Sequence, residues 1–180
     1  MTEKSFANRI ANSQSDFIQE FVNILEEHHI SFCIIGGLAV NAYAEPVVSL
    51  DMDVVIASDR IDELLTVLSE TRFSVAPQSH SINISSSSSD FRIQLQTEPR
   101  YQEFIASSSY KTILGYKLPV TSAEDVLQSK IWAFSDPTRR ASKRQKDLAD
   151  ILRLIEAQPA LISLLPSDLK ERLTNPSYPL

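Results

Sequence analysis

The chain has 180 residues, a formal charge of −6 and an apolar fraction of 43%, which suits one globular domain over residues 1–180. The acidic balance excludes broad DNA binding, because that needs many Lys and Arg side chains to displace counterions from phosphates. No apolar run reaches the length of a membrane span, and Met1-Thr2-Glu3-Lys4-Ser5 lacks the basic end and apolar block of a signal peptide. A cytoplasmic protein with no membrane partner is therefore expected. Cys33 is the only cysteine, so no internal disulfide or cysteine metal cluster can form, and its place in an apolar run marks it as core.

In chain order, Phe17, Ile18, Phe21, Val22, Ile24 and Leu25 recur on one side of a 3.6-residue period and predict an amphipathic helix from Ser15 to His28. Phe32-Cys33-Ile34-Ile35 reads as a strand running into Gly36-Gly37, with a helix over Leu38 to Tyr43 and a second strand over Leu50 to Ile56. Asp59 is placed to cap a helix whose apolar face is Ile61, Leu64, Leu65 and Leu68. Three strands follow, at Phe73 to Ala76, Ser81 to Ile84 and Phe91 to Leu95, with the serine run Ser85 to Ser89 as a hairpin loop. In the last of these Arg92, Gln94 and Gln96 share one face. Tyr116 to Val120 is a short extended segment, Thr121 or Ser122 caps a helix starting near Ala123, and a long helix runs from about Arg140 to Glu156. Pro159, Pro166, Pro176 and Pro179 break up the tail.

Two glycines side by side let the backbone come close to a bulky anion, and a helix start behind them offers unpaired N–H groups to a phosphate. Asp51 and Asp53, two apart on a strand, point to one face while Met52 and Val54 point to the other. That arrangement is a clamp for a divalent cation, since Mg²⁺ takes oxygen ligands and is bound through one or two carboxylates plus substrate phosphates. The phosphate-loop pattern Gly-x-x-x-x-Gly-Lys and the dinucleotide pattern Gly-x-Gly-x-x-Gly are both missing. Lys130 falls between Val126 and Phe134 on the face that carries Leu127 and Ile131. Either its stem packs and its ammonium reaches solvent, or the charge meets an anion in a cleft. Trp132 lies on another side and reads as packing. Lys143, Lys146, Asp147 and Asp150 form a polar stripe that is either ordinary i,i+4 pairing or a shelf for phosphate. His28, His29 and His80 have no ligand spacing.

Taken together, Gly36-Gly37, Ser49-x-Asp51-x-Asp53 and Lys143-Arg144-Gln145-Lys146-Asp147-Leu148-Ala149-Asp150 resemble the nucleotidyltransferase superfamily, in particular its AbiEii-type toxin branch, over about residues 31 to 156. The resemblance implies an α/β (α+β) fold: a small mixed β-sheet flanked by helices over about residues 15–120, with a helical part over about 121–173. It implies Mg²⁺ (or Mn²⁺) held by Asp51 and Asp53, and an NTP whose phosphates meet Gly36, Gly37, Ser49, Lys143 and Lys146. Lys130 and Asp147 join the aspartates as catalytic candidates. The implied activity is transfer of a nucleoside monophosphate to an acceptor hydroxyl, with RNA or protein as acceptor and an antitoxin as a further partner.

Two departures stand out. Val47 occupies a place where the family often has arginine. Gln94 stands at the expected position of a third carboxylate, and a neutral amide is no general base. Asp90 or Asp147 would have to substitute; otherwise the chain is an impaired nucleotidyltransferase fold that serves as a nucleotide- or protein-binding module.

Overall fold

The computed structural model describes residues 1–174. Its centre is a seven-stranded mixed sheet built from β1 (Phe32–Ile35), β2 (Asp51–Ile56), β3 (Ser74–Pro77), β4 (Ser81–Ser86), β5 (Ser89–Gln96), β6 (Ser109–Ile113) and β7 (Tyr116–Val120), in the order β3-β4-β5-β2-β1-β7-β6. β2 runs antiparallel to β1 and parallel to β5, which sets Asp53 beside Ile35 on one flank and Gln94 on the other. The helices are α1 (Glu3–Ile10), α2 (Phe17–Glu27), α3 (Gly36–Val40), α4 (Ile61–Ser69), α5 (Ala123–Ser135), α6 (Ala141–Ala157) and α7 (Ser167–Thr174).

Strand alternation divides the apolar residues between two cores. Ile34, Met52, Val54 and Ile56 turn to the larger one, where α2 contributes Phe17, Phe21 and Leu25 and α5 contributes Val126, Leu127 and Ile131. Burying a side chain of this kind gives about 1.5–3 kcal/mol. Cys33, Ile35 and Val55 turn the other way onto Tyr101 and Phe104, with Trp132 packed against them. Asp51 and Asp53 belong to this second face. The aromatic cluster covers only the Val55 end of β2, which leaves the aspartate end open.

Several elements differ from the sequence reading. α1 was not expected because none of its residues is buried, so it has no apolar stripe. β6 is an edge strand in which only Ile113 is buried. Asp59 does not cap α4: a short 3₁₀ turn at Ser58–Arg60 intervenes and Arg60 takes the N-cap position without a side-chain cap. Its guanidinium instead bonds Glu63 and the carbonyl oxygens of His28 and His29. β3 is shifted by one residue from its expected place, β4 and β5 are longer than expected, and only Ser87 and Ser88 form the turn within the serine run. Ser122 is the cap of α5, its Oγ accepting from the Asp125 N–H at 3.2 Å. Cys33 is fully buried and its thiol is pushed up to about 12, first by desolvation and then by the Asp125 charge, which makes it inert core. Pro176 and Pro179 lie outside the described residues.

Candidate active site

A cavity of about 480 Å³ opens beside the N-terminal end of β2, and Gly36, Gly37, Ser49, Asp51, Asp53, Lys130, Lys143, Lys146 and Asp147 all line it. Met52 and Val54 anchor β2 in the larger core with no exposure, so the alternation that buries them aims both aspartates into the opening. Ser49 shapes the entry to the strand: its Oγ accepts the Asp51 N–H at 3.3 Å and donates to the Asp51 carbonyl at 3.1 Å.

The two glycines serve different neighbours. Gly36 has φ +70°, and a Cβ built there would lie 2.8 Å from Asp53 Cγ and closer still to its Oδ2. The space that the missing side chain leaves is therefore filled by the protein's own carboxylate rather than kept for a phosphate. A Cβ on Gly37 would meet Lys130 Nζ at 3.8 Å and both Lys146 Nζ and Asp150 Oδ2 at 3.9 Å, so that glycine lies beneath two ammonium groups and the carboxylate that holds one of them. The helix begins at the pair itself rather than behind it, covers only the five residues Gly36–Val40, and continues as turns through Ala44. Its dipole is correspondingly small.

Lys130 resolves the open question about its charge. It is 6% exposed, and its Nζ lies 3.2 Å from Asp147 Oδ1 and 2.7 Å from Asp150 Oδ2. Asp147 also receives Arg139 Nε at 2.6 Å, and Asp150 receives Arg153 Nη1 at 2.7 Å. The Lys130–Asp150 contact is ionic only, since Asp150 Oδ2 has no donor in hydrogen-bonding geometry. Thus the acidic members of the α6 stripe are buried and bound by Lys130 of α5, by Arg139 before the helix and by Arg153 one turn on, not by i,i+4 pairing with Lys143 and Lys146. Arg153 reaches further, donating to Asn41 Oδ1 at 2.9 Å and to the Glu45 carbonyl. Asn41 in turn exchanges hydrogen bonds with the backbone of Val47 at 2.8 and 3.0 Å. α6 is thereby tied to the loop that feeds β2.

On the opposite wall, β5 brings a neutral and a cationic group to the acidic pair. Gln94, in register with Asp53, donates to Ser81 Oγ at 3.0 Å. Gln96 Nε2 donates to Asp53 Oδ1 at 3.1 Å, and Arg92, in register with Asp51, places Nη2 2.9 Å from Asp51 Oδ1. Neither proposed substitute for the third carboxylate reaches that position. Asp90 is exposed, outside the cavity lining, and accepts from Asn12 Nδ2 at 2.6 Å. Asp147 lines the cavity but is 1% exposed and committed to Lys130 and Arg139.

The sequence reading missed Glu98, Arg100, Tyr101 and Arg139, which also line the cavity. Glu98 extends the Arg92, Gln94, Gln96 alternation by one step, a signal that was available. Its carboxylate pairs with Arg100 Nε at 2.7 Å, and the Arg100 guanidinium lies 4.9 Å from the Trp132 ring centroid. Trp132 packs as expected, stacked on Phe104 at 5.9 Å, and also lines the cavity.

Desolvation raises the Asp53 carboxyl above its ordinary range, with the Lys130 charge and the Gln96 hydrogen bond opposing. A carboxylate with one amide donor and a deficit of positive charge suits a divalent cation. Among the described residues no third His, Cys, Asp or Glu joins the pair to make a metal-binding trio. The donor set therefore fits one cation that also draws on substrate phosphate oxygens, and does not fit a preformed two-metal cage.

Neither a protein-family model nor a curated protein sequence matches the chain. Solved structures do. The antibiotic-resistance factor ANT(2'')-Ia in solution is similar at TM-score 0.54 and 15% identity over 87% of this chain and 86% of that one. The lincosamide antibiotic adenylyltransferase LnuA, bound to lincomycin, is similar at TM-score 0.54 and 10% identity over 79% and 99% of the two chains. An antigenic nucleotidyltransferase-like protein from Paracoccidioides brasiliensis matches at TM-score 0.51 and 17% identity over 91% and 79%. The seven-stranded mixed sheet with flanking helices is the nucleotidyltransferase fold.

Proposed function

We propose that this chain is a nucleotidyltransferase that moves a nucleoside monophosphate from an NTP to an acceptor hydroxyl. The supporting observation is one cavity in which Gly36-Gly37 separates the Asp53 carboxylate from the Lys130 and Lys146 ammonium groups. An NTP laid across the glycines would bring its α-phosphorus to the acids and its β and γ phosphates to Lys130, Lys143 and Lys146. The acceptor oxygen bonds to the α-phosphorus, the bond from that phosphorus to the bridging oxygen breaks, pyrophosphate leaves with the electron pair, and the hydroxyl proton passes to solvent. Mg²⁺ or Mn²⁺ held by Asp51 and Asp53 would neutralise phosphate charge around the reacting centre. Lys130 is held by Asp147 and Asp150, so its charge is in place before the nucleotide arrives, at no cost in side-chain ordering. The adenylyl transfer named for the fold's neighbours supports this reading.

Within the superfamily, Lys130 meeting Asp147 and Asp150 of the Lys143–Asp150 segment favours the AbiEii-type branch, with RNA or protein as the acceptor and an antitoxin as inhibitor. Gln94 beside Asp53 favours a second reading, a module that binds nucleotide without turnover. Pyrophosphate release from NTP, measured with Mg²⁺ and an acceptor RNA pool or cell lysate, separates the two. Wild type should release pyrophosphate and Asp53→Ala should not, with its melting temperature retained. Calorimetric NTP binding that needs Mg²⁺ but yields no pyrophosphate would select the module, and equal turnover by wild type and variant would remove Asp53 from the mechanism.

A further inference from the structure

The two aspartates of β2 differ in what neutralises them. Asp53 has an amide donor and makes no ion pair among the described residues, whereas Asp51 already holds a cation, the Arg92 guanidinium at 2.9 Å. This pairing follows from the sheet register. β5 runs parallel to β2 with Arg92 opposite Asp51, and the Arg92 N–H donates to the Leu50 carbonyl at 2.8 Å, which holds the two Cα positions together. Arg92 is 66% exposed along its side chain, so no packing obliges it to stay. A guanidinium so placed uses a carboxylate oxygen that a metal ion would need, and it adds a positive charge beside an incoming dication.

We propose that Arg92 is a built-in counter-cation that occupies Asp51 in the free protein and must release it when a divalent ion binds. This rests on the reading of Asp51 and Asp53 as a metal pair. The free ion then binds weakly, because it displaces Arg92 while gaining two carboxylates and no third. A cation arriving on a triphosphate brings its own oxygen ligands, and the released guanidinium finds a new partner in the polyanion. The site thus loads with the metal–nucleotide complex in preference to the bare metal. Arg92 is here a positioning and gating residue.

Mn²⁺ binding without nucleotide, followed by loss of the free-ion paramagnetic resonance signal, tests this directly and needs no turnover. Arg92→Gln should tighten Mn²⁺ by about five- to twentyfold, the range for losing an exposed ion pair and a nearby like charge. Arg92→Lys should stay within about threefold of wild type, since the charge is kept. In an Asp51→Asn background, Arg92→Gln should tighten Mn²⁺ by a clearly smaller factor than in wild type, because the ion-pair share of the effect is gone and only the like-charge share remains. Equal Mn²⁺ affinity in wild type and Arg92→Gln, at a site lost in Asp53→Asn, would overturn the proposal while leaving the metal pair standing. Failure of both proteins to bind Mn²⁺ at millimolar concentration would overturn both.

Discussion

On the α5–α6 wall of the cavity Lys130, Asp147 and Asp150 are each in contact with an opposite charge while nearly excluded from solvent; on the β2 wall, Asp53 is left with one amide donor and a carboxyl raised by desolvation. Those three buried charges are spent within the first wall, and Lys143 and Lys146 are the cations it leaves at the cavity surface. Burying charge is tolerable there only because each group is paired, and unpairing one is costly. At the second wall Lys130, Arg139 and the Gln96 amide only partly offset the Asp53 charge, and among the described residues no ion pair closes it, which is the condition for attracting a cation or a positively charged ligand. One wall organises and the other is free to react. Substitutions should therefore act mainly on stability at the first and mainly on binding at the second.

The largest expected effect is at Lys130. Lys130→Met keeps the stem's volume but removes the ammonium 2.7 Å from Asp150 Oδ2, an oxygen with no hydrogen-bond donor among the described residues. Asp147 and Asp150 each retain an arginine, which holds the loss near the lower end of the usual range, about 3 kcal/mol. Urea denaturation measures it. A loss below about 1 kcal/mol would mean that the cluster does not organise the wall, and the contrast drawn here would fail. The next effect sharpens the contrast within two adjacent residues. Gly36→Ala forces an L side chain into φ +70° and into the Asp53 carboxylate, for a cost of about 1–3 kcal/mol together with loss of Mn²⁺ binding. Gly37→Ala meets only ordinary contacts within a helical turn and should be stabilising by about 0.5–1 kcal/mol. Similar denaturation midpoints for the two variants would contradict the assignment of Gly36 to Asp53.

How much of this was legible beforehand depends on the range of the forces involved. Period-two alternation is local, so Met52, Asp51 and Asp53 declare their faces without any tertiary information. The same holds for Arg92, Gln94 and Gln96, and the parallel register that sets Gln94 beside Asp53 agrees with the place expected for a third carboxylate. Which groups hold Lys130 depends on the angle at which α6 crosses α5, so the charged stripe on α6 alone left self-pairing and a phosphate shelf both open. Gly36 misled for a related reason. Its sequence context says only that the backbone must be free of a side chain, and does not say whether the space is for a ligand or for Asp53. Edge strand β6 and helix α1 were invisible because elements with little buried surface leave little hydrophobic pattern.

The smallest effect, and the one that isolates the reactive wall, is the pH dependence that Asp53 imposes on stability. Its folded-state carboxyl titrates above the 3.8 of a solvated aspartate because burial disfavours the charged form. Between 3.8 and that raised value the folded protein binds more protons than the unfolded chain, so stability must fall as pH rises through the window. Asp53→Asn removes the titration while leaving an oxygen to accept from Gln96. Paired urea titrations from pH 4 to pH 8 should then show wild type losing stability relative to Asp53→Asn as pH rises, with the difference levelling off once Asp53 is fully ionised. A difference that stays flat, or that grows in favour of wild type, would mean that the β2 wall carries no uncompensated charge. Mn²⁺ bound at the wild-type site should reduce the difference above the window, because a cation at Asp53 supplies the neutralisation that the folded chain withholds.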